Sequence, residues 1–122
     1  MNRILVVDGE RDYLVTYERL LRRHGYRVVT TGSRMEGLSL VQAAPPRLVI
    51  ADLRLPDGDG IDIVRAARAL EPPAPVIVVT AFASLASREA ARASGASAFL
   101  SKPFATSALL QLVHDELERS PR

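Results

Sequence analysis

The sequence predicts an α/β protein built on a parallel sheet, and three observations predict it. Five short apolar runs alternate with segments of helical periodicity, the runs are continuous rather than alternating, and four of the five lead, directly or within two residues, into a charged or hydroxyl-bearing residue. A continuous run of β-branched and aliphatic residues is how a strand buried on both faces reads. Strands alternating with helices imply right-handed βαβ crossovers, and therefore a parallel sheet covered by helices on both sides.

Ile4-Leu5-Val6-Val7 is the first run and ends at Asp8. Asp12 is placed to cap a helix whose Leu14, Tyr17, Leu21 and His24 share one face, and Gly25 stops it. Arg27 to Thr30 reads as the second strand. Ser33 and Glu36 have capping-box spacing ahead of a helix carrying Leu38 and Val41, which Pro45-Pro46 closes. Leu48-Val49-Ile50-Ala51 is the third strand and ends at Asp52, and residues 53–60 form a turn-rich loop before a helix over 61–70. Pro72, Pro73 and Pro75 prevent that helix from continuing. The fourth strand is Val76 to Thr80, followed by an alanine-rich helix over 84–94 that Gly95 terminates, and Ala98 to Ser101 is the fifth strand. A last helix, capped by Thr106, presents Leu109, Leu110, Val113 and Leu117.

At 122 residues the chain is sized for one domain, 1–122, with a single buried core. It has no cysteine, which removes disulfides, thiolate metal sites and thiol nucleophiles and suits a reducing compartment. No apolar run approaches the ~18 residues of a spanning helix and residues 1–10 do not read as a signal peptide, so a cytoplasmic protein without membrane contact is expected. The net charge is only +2 and the arginines are scattered, with Arg22-Arg23 the sole adjacent pair, so direct nucleic-acid binding is not expected. Ser120-Pro121-Arg122 follows the last helix directly, compatible with a single-domain protein or with one domain of a longer chain.

Of the 16 lysines and arginines, only Lys102 is a lysine. An ammonium is a compact charge on a flexible stem, suited to a small and changing anion, whereas a guanidinium is a planar fork that needs more room. Asp8, Asp52, Thr80 and Lys102 all fall at the carboxyl ends of predicted strands, where open α/β sheets form their ligand crevices. Taken singly, Asp52 fits a turn or a cap and Thr80 an ordinary turn hydroxyl. Four such residues converging on one crevice make a site.

In order and spacing, Ile4-Leu5-Val6-Val7-Asp8, Asp52-Leu53-Arg54-Leu55-Pro56 with Asp59-Gly60, Val78-Val79-Thr80-Ala81 and Lys102-Pro103-Phe104 resemble the phosphoacceptor receiver domains of two-component response regulators, and the resemblance covers essentially the whole chain. It implies a doubly wound, flavodoxin-like fold of five parallel strands in the order 2-1-3-4-5, with helices on both faces. It also implies a signalling domain, not an enzyme, that assists only its own phosphorylation and dephosphorylation. By position, Asp52 corresponds to the phosphoacceptor, Thr80 to the switch hydroxyl, Lys102 to the cation that meets the phosphoryl group, and Phe99 to the aromatic that moves with the switch. Asp8, Asp52 and the backbone carbonyl of Arg54 correspond to the Mg²⁺ ligands. The implied partners are a histidine kinase or a phosphotransfer protein in a phosphorelay, and an output domain or a second copy docked on the face of the fourth helix, fifth strand and fifth helix.

One position departs from the family, which usually has two adjacent acids after the first strand: here the pair reads Asp8-Gly9. Glu10 follows, one residue further round the loop, where its side chain need not face the pocket. Mg²⁺ demands near-octahedral oxygen ligation, so the lost carboxylate is expected to weaken its binding. Two functions follow: a phosphorylation-controlled switch, and a receiver-like interaction module with little or no phosphorylation. The intact Asp52, Thr80 and Lys102 favour the first.

Overall fold

Apolar residues on successive positions of a strand point to opposite faces, so a strand that is apolar throughout needs cover on both. The computed structural model describes residues 3–119 and supplies that cover; Ser120-Pro121-Arg122 lies outside the described residues. In chain order the elements are β1 (Arg3–Val7), α1 (Arg11–Arg23), β2 (Arg27–Thr31), α2 (Arg34–Ala43), β3 (Leu48–Ala51), β4 (Arg54–Leu55), β5 (Gly58–Asp59), α3 (Ile61–Arg68), β6 (Val76–Thr80), α4 (Leu85–Ala93), β7 (Ala98–Ser101) and α5 (Thr106–Arg119). Five strands form one parallel sheet in the order β2-β1-β3-β6-β7. This is the predicted 2-1-3-4-5 order once the short antiparallel hairpin β4–β5 is set aside.

Two apolar layers flank the sheet, and alternate residues of each strand feed them. Leu5, Val7, Val49, Ala51, Val76 and Val78 pack with Val41 of α2, Ile63, Val64 and Ala67 of α3 and Ala91 of α4. Ile4, Val6, Leu48, Ile50, Ile77 and Val79 pack with Tyr17 and Leu21 of α1 and Leu109, Val113 and Leu117 of α5. The helices are unequally anchored: α4 buries only Ala91, whereas α3 buries Ile61, Ile63, Val64 and Ala67.

Four local expectations are corrected. The N-cap of α1 is Glu10, and Asp12 sits inside the first turn, where its charge favours the helix dipole. His24 is the exposed C-cap of α1, its ring Nδ1 3.0 Å from the Leu20 carbonyl, and not part of the packed face. Only half of the expected capping box forms at α2: Ser33 accepts from the Glu36 amide at 3.1 Å, but the Glu36 carboxylate is taken by the Thr31 hydroxyl. Thr106 is the first helical residue of α5 rather than its cap, because the Ala105 carbonyl already accepts from the Leu109 amide.

The loop read as residues 53–60 contains the β4–β5 hairpin, and Asp57 at its tip caps a distant helix. Its carboxylate accepts from the backbone amides of Arg34 at 2.7 Å and Met35 at 3.0 Å, and from the Ser33 hydroxyl at 3.2 Å. These amide donors at the start of α2 hold the Asp57 carboxyl below its ordinary range. Arg34 in turn donates to Asp62 of α3 at 2.6 and 2.9 Å. The segment following Asp52 is thereby clamped to α2 and α3.

Gly60 closes this loop, donating its amide to the Leu53 carbonyl at 2.8 Å. A Cβ here would run into the carbonyl oxygen of Asp52 and lie 2.9 Å from the carbonyl carbon, so backbone would have to move. Gly60→Ala is therefore expected to destabilise the fold by ~2–3 kcal/mol, the scale of overpacking against unyielding atoms, as read by the shift of the urea unfolding midpoint.

Candidate functional site

The register of the sheet aligns the polar residues that end the strands. Val7 pairs with Ala51, so Asp8 and Asp52 emerge side by side, with the Asp52 amide on the Val7 carbonyl at 2.9 Å. Across β6 and β7, Thr80 pairs with Ser101, and the Lys102 amide binds the Thr80 carbonyl at 2.9 Å. The crevice therefore receives one side chain from each of four strand ends. Asp8, Asp52, Thr80 and Lys102 are all buried there.

At its centre the Lys102 ammonium lies 2.8 Å from Asp52 Oδ2, 2.7 Å from Asp8 Oδ2 and 2.9 Å from Glu10 Oε1. The Lys102 side chain is only 2% exposed. Burial by itself would lower the lysine pKa, but the surrounding Asp52, Asp8 and Glu10 carboxylates outweigh it, and the pKa is raised above the usual lysine value. Below the ammonium is the ring of Tyr13, 4.1 Å from Nζ to the centroid, which packs in turn against Tyr17 and Phe104. The lysine is thus gripped by charge on one side and by an aromatic face on the other.

Burial pushes the Asp8 carboxyl up, and the contacts with Lys102 and the Glu10 amide offset this only in part. Asp8 Oδ1 accepts from the Glu10 amide at 2.8 Å. Its Oδ2 is buried and close to the ammonium but out of line for a hydrogen bond, so charge alone compensates it. Asp52 Oδ1 accepts from the Arg54 amide at 3.3 Å, a turn that folds the chain back over the carboxylate.

The remaining predicted residues surround this cluster. The Thr80 hydroxyl accepts from the Phe82 amide at 3.2 Å, so it is engaged by the loop behind it. Phe99 is partly buried against the α2–α3–α4 layer, with the Arg88 guanidinium 4.8 Å above its ring. The Arg54 carbonyl faces Gly9, 3.8 Å from where a Cβ on that glycine would lie, while the Arg54 guanidinium stacks on Phe82 at 3.9 Å.

The expectation for Glu10 needs amending, because its carboxylate reaches the pocket. The cause is the turn in which Asp8 accepts the Glu10 amide, which brings residue 10 back toward Lys102. An aspartate ending a strand, with a third acid two residues later, was the available signal. Tyr13, in the first turn of α1, was missed because nothing local to it points to an ammonium contributed from the other end of the chain.

The residues fit a hard divalent cation. Carboxylate oxygens of Asp8, Glu10 and Asp52 lie within 4.8 Å of one another. Three carboxylates when ionised outnumber the single ammonium by two charges, and a buried Asp8 oxygen lacks a hydrogen bond. Oxygen donors of this kind suit Mg²⁺ or Ca²⁺ rather than a softer metal.

The chain is similar to known proteins. The sequence model of the response regulator receiver domain matches residues 4–114. The photosynthetic apparatus regulatory protein RegA of Cereibacter sphaeroides is 35% identical over 82% of this chain and 54% of its own length. The transcriptional regulatory protein GlrR of Escherichia coli is 37% identical over 96% of this chain and 26% of its own. The chain thus spans about half or less of these curated relatives. Among solved structures, a CheY-like response regulator receiver domain protein from Methanospirillum hungatei is 30% identical with a TM-score of 0.93, covering 98% of this chain and 96% of that one. A response regulator from Burkholderia pseudomallei, solved with a phosphorylated aspartic acid, calcium ion and citrate, is 28% identical with a TM-score of 0.87, covering 97% of this chain and 69% of that one. With the strand order, the crevice and these matches in agreement, the chain belongs to the response regulator receiver domain family.

Proposed function

We propose that this receiver domain is a phosphorylation-controlled switch whose acceptor is Asp52. The observation that carries the reading is the 2.8 Å contact between Asp52 Oδ2 and the buried Lys102 ammonium at the aligned strand ends. It favours a phosphoacceptor over a pure interaction module, because a module that signals by surface contact has no need of a buried carboxylate beside a buried cation. A carboxylate oxygen of Asp52 attacks phosphorus, the bond from phosphorus to the donor's leaving group breaks, and an acyl phosphate forms. In a histidine kinase or phosphotransfer protein the leaving group is an imidazole nitrogen; in acetyl phosphate it is acetate. Lys102 is already placed to neutralise charge on the transferring oxygens.

Bound Mg²⁺ supplies further neutralisation of those oxygens. Asp8, Asp52 and the Arg54 carbonyl would hold it, weakly because Gly9 contributes no side chain. After transfer, the new oxygens draw the Thr80 hydroxyl from the Phe82 amide. Phe99 then turns inward, leaving Arg88. The response appears at α4, the helix with the fewest buried residues, and along β7 and α5. That face is the docking surface for an output domain or a second copy; a beryllofluoride-activated NtrC4 receiver domain, 28% identical with a TM-score of 0.91, is a dimer. No helix among the described residues is long and apolar enough to cross a membrane, which agrees with a cytoplasmic setting. The domain's chemistry is confined to its own phosphorylation and dephosphorylation.

Mass spectrometry after incubation with acetyl phosphate and Mg²⁺ is expected to show one added phosphoryl group, absent in Asp52→Asn and reduced when Mg²⁺ is chelated. An increment that persists in Asp52→Asn, or maps to Asp57 or Asp59, would remove Asp52 from the role.

Lys102→Arg is expected to impair activation although charge is preserved, because the planar guanidinium does not fit the space occupied by the ammonium between Tyr13 and three carboxylates. NMR shifts on adding beryllofluoride measure this. An arginine variant that responds like wild type would contradict the proposed role.

Gly9→Asp should tighten Mg²⁺ by ~1–3 kcal/mol, the scale of a charged hydrogen bond, once Pro56 shifts to relieve the 3.0 Å approach of its Cδ to the new Cβ. A Mg²⁺ titration followed by tyrosine fluorescence checks it, and equal affinities would show that position 9 is irrelevant to the metal.

A further inference from the structure

We infer that Glu10 is the third carboxylate ligand of the divalent cation, in the place of the side chain that Gly9 does not provide. The inference rests on the metal-dependent reading above and deepens it. Position 9 is shaped for a glycine: the Pro56 ring packs so near that a Cβ would approach its Cδ at 3.0 Å. The chain then turns through the Asp8 Oδ1 contact with the Glu10 amide, at 2.8 Å, and this brings the next carboxylate back over the pocket. Glu10 Oε1 reaches the same ammonium that Asp8 and Asp52 share, although the Glu10 side chain is 57% exposed.

Two observations go beyond an acidic cluster. Asp8 Oδ2 is buried, turned into the pocket and without a hydrogen bond, as expected of an oxygen that a cation completes. The three carboxylates each offer an oxygen within 4.8 Å of the others, near enough for one hard cation to be shared among them. In this structure the Lys102 ammonium holds the three acids together. With a cation bound, Glu10 would turn from Lys102 to the ion, while the ammonium would keep its contact with Asp52. Ordering a half-exposed glutamate opposes binding, which is why a metal held this way binds more weakly than one held by two adjacent aspartates.

The competing reading is that Glu10 is only a counter-ion for Lys102. Mn²⁺ binding read by electron paramagnetic resonance separates the two, using wild type, Glu10→Gln, Gly9→Asp, the double variant and Asp8→Asn, each checked for folding by circular dichroism. If Glu10 is a ligand, Glu10→Gln weakens Mn²⁺ by roughly fivefold or more, and by less than about twofold once Gly9→Asp supplies a carboxylate nearby, because only one of the two is then needed. Equal factors in both backgrounds would mean that Glu10 acts through its charge alone, and no effect in either would mean that it plays no part; both overturn the inference. Loss of Mn²⁺ in Asp8→Asn with no change in Glu10→Gln defeats this inference alone. Absence of Mn²⁺ binding in wild type defeats the metal reading with it.

Discussion

Asp8 and Asp52 stand side by side at the ends of two central strands, nearly sealed from water, with the Lys102 ammonium between them. Removing a carboxylate from water costs several kcal/mol, and a like charge alongside adds to it. The Lys102 ammonium supplies the compensation from the end of β7, and much of the surrounding structure serves to hold it in place. Tyr13 packs beneath it, Tyr17 and Phe104 support Tyr13, and the Thr80 carbonyl fixes the backbone where the lysine begins. A parallel sheet delivers this convergence with little further design, since all its strands end on the same side.

The same cluster sets the charge of the site. Three acids share one ammonium, so releasing any one of them leaves Lys102 paired with the other two. When all three acids are ionised the pocket carries excess negative charge, which favours a divalent cation. Affinity for a divalent cation is then a consequence of one charge imbalance.

Rigidity is distributed unevenly around this centre. The segment after Asp52 is fastened by the β4–β5 hairpin, by Asp57 on the amides that open α2, by the Arg34–Asp62 pair and by the tight closure at Gly60. Such fastening holds Asp52 and the Arg54 carbonyl in fixed positions. On the opposite flank α4 is anchored through Ala91 alone, Phe99 is only partly buried, and Arg88 stacks over it from outside. A fixed reaction centre beside a lightly held helix is the combination that a local chemical change can convert into a change of surface.

Much of this was legible before any coordinates. The five parallel strands could be read from continuous apolar runs because a residue flanked by buried neighbours in a two-sided sheet must itself be apolar, a constraint that acts on each position locally. Asp8, Asp52, Thr80 and Lys102 could be read as a site because their place at the strand ends depends on topology alone. The hairpin within residues 53–60, the capping of α2 by Asp57 across 23 residues, the exposure of His24 and the approach of Glu10 to Lys102 across 92 residues were not legible. Each is a loop or helix-end group whose direction follows from a specific backbone turn and from a partner delivered by a distant segment. The sequence by itself thus determined the layers and which strand-end residues share the crevice, while the strand order followed from the family resemblance. The tertiary structure decided how they meet, because side-chain orientation outside regular elements is set by contacts that exist only after the chain has folded.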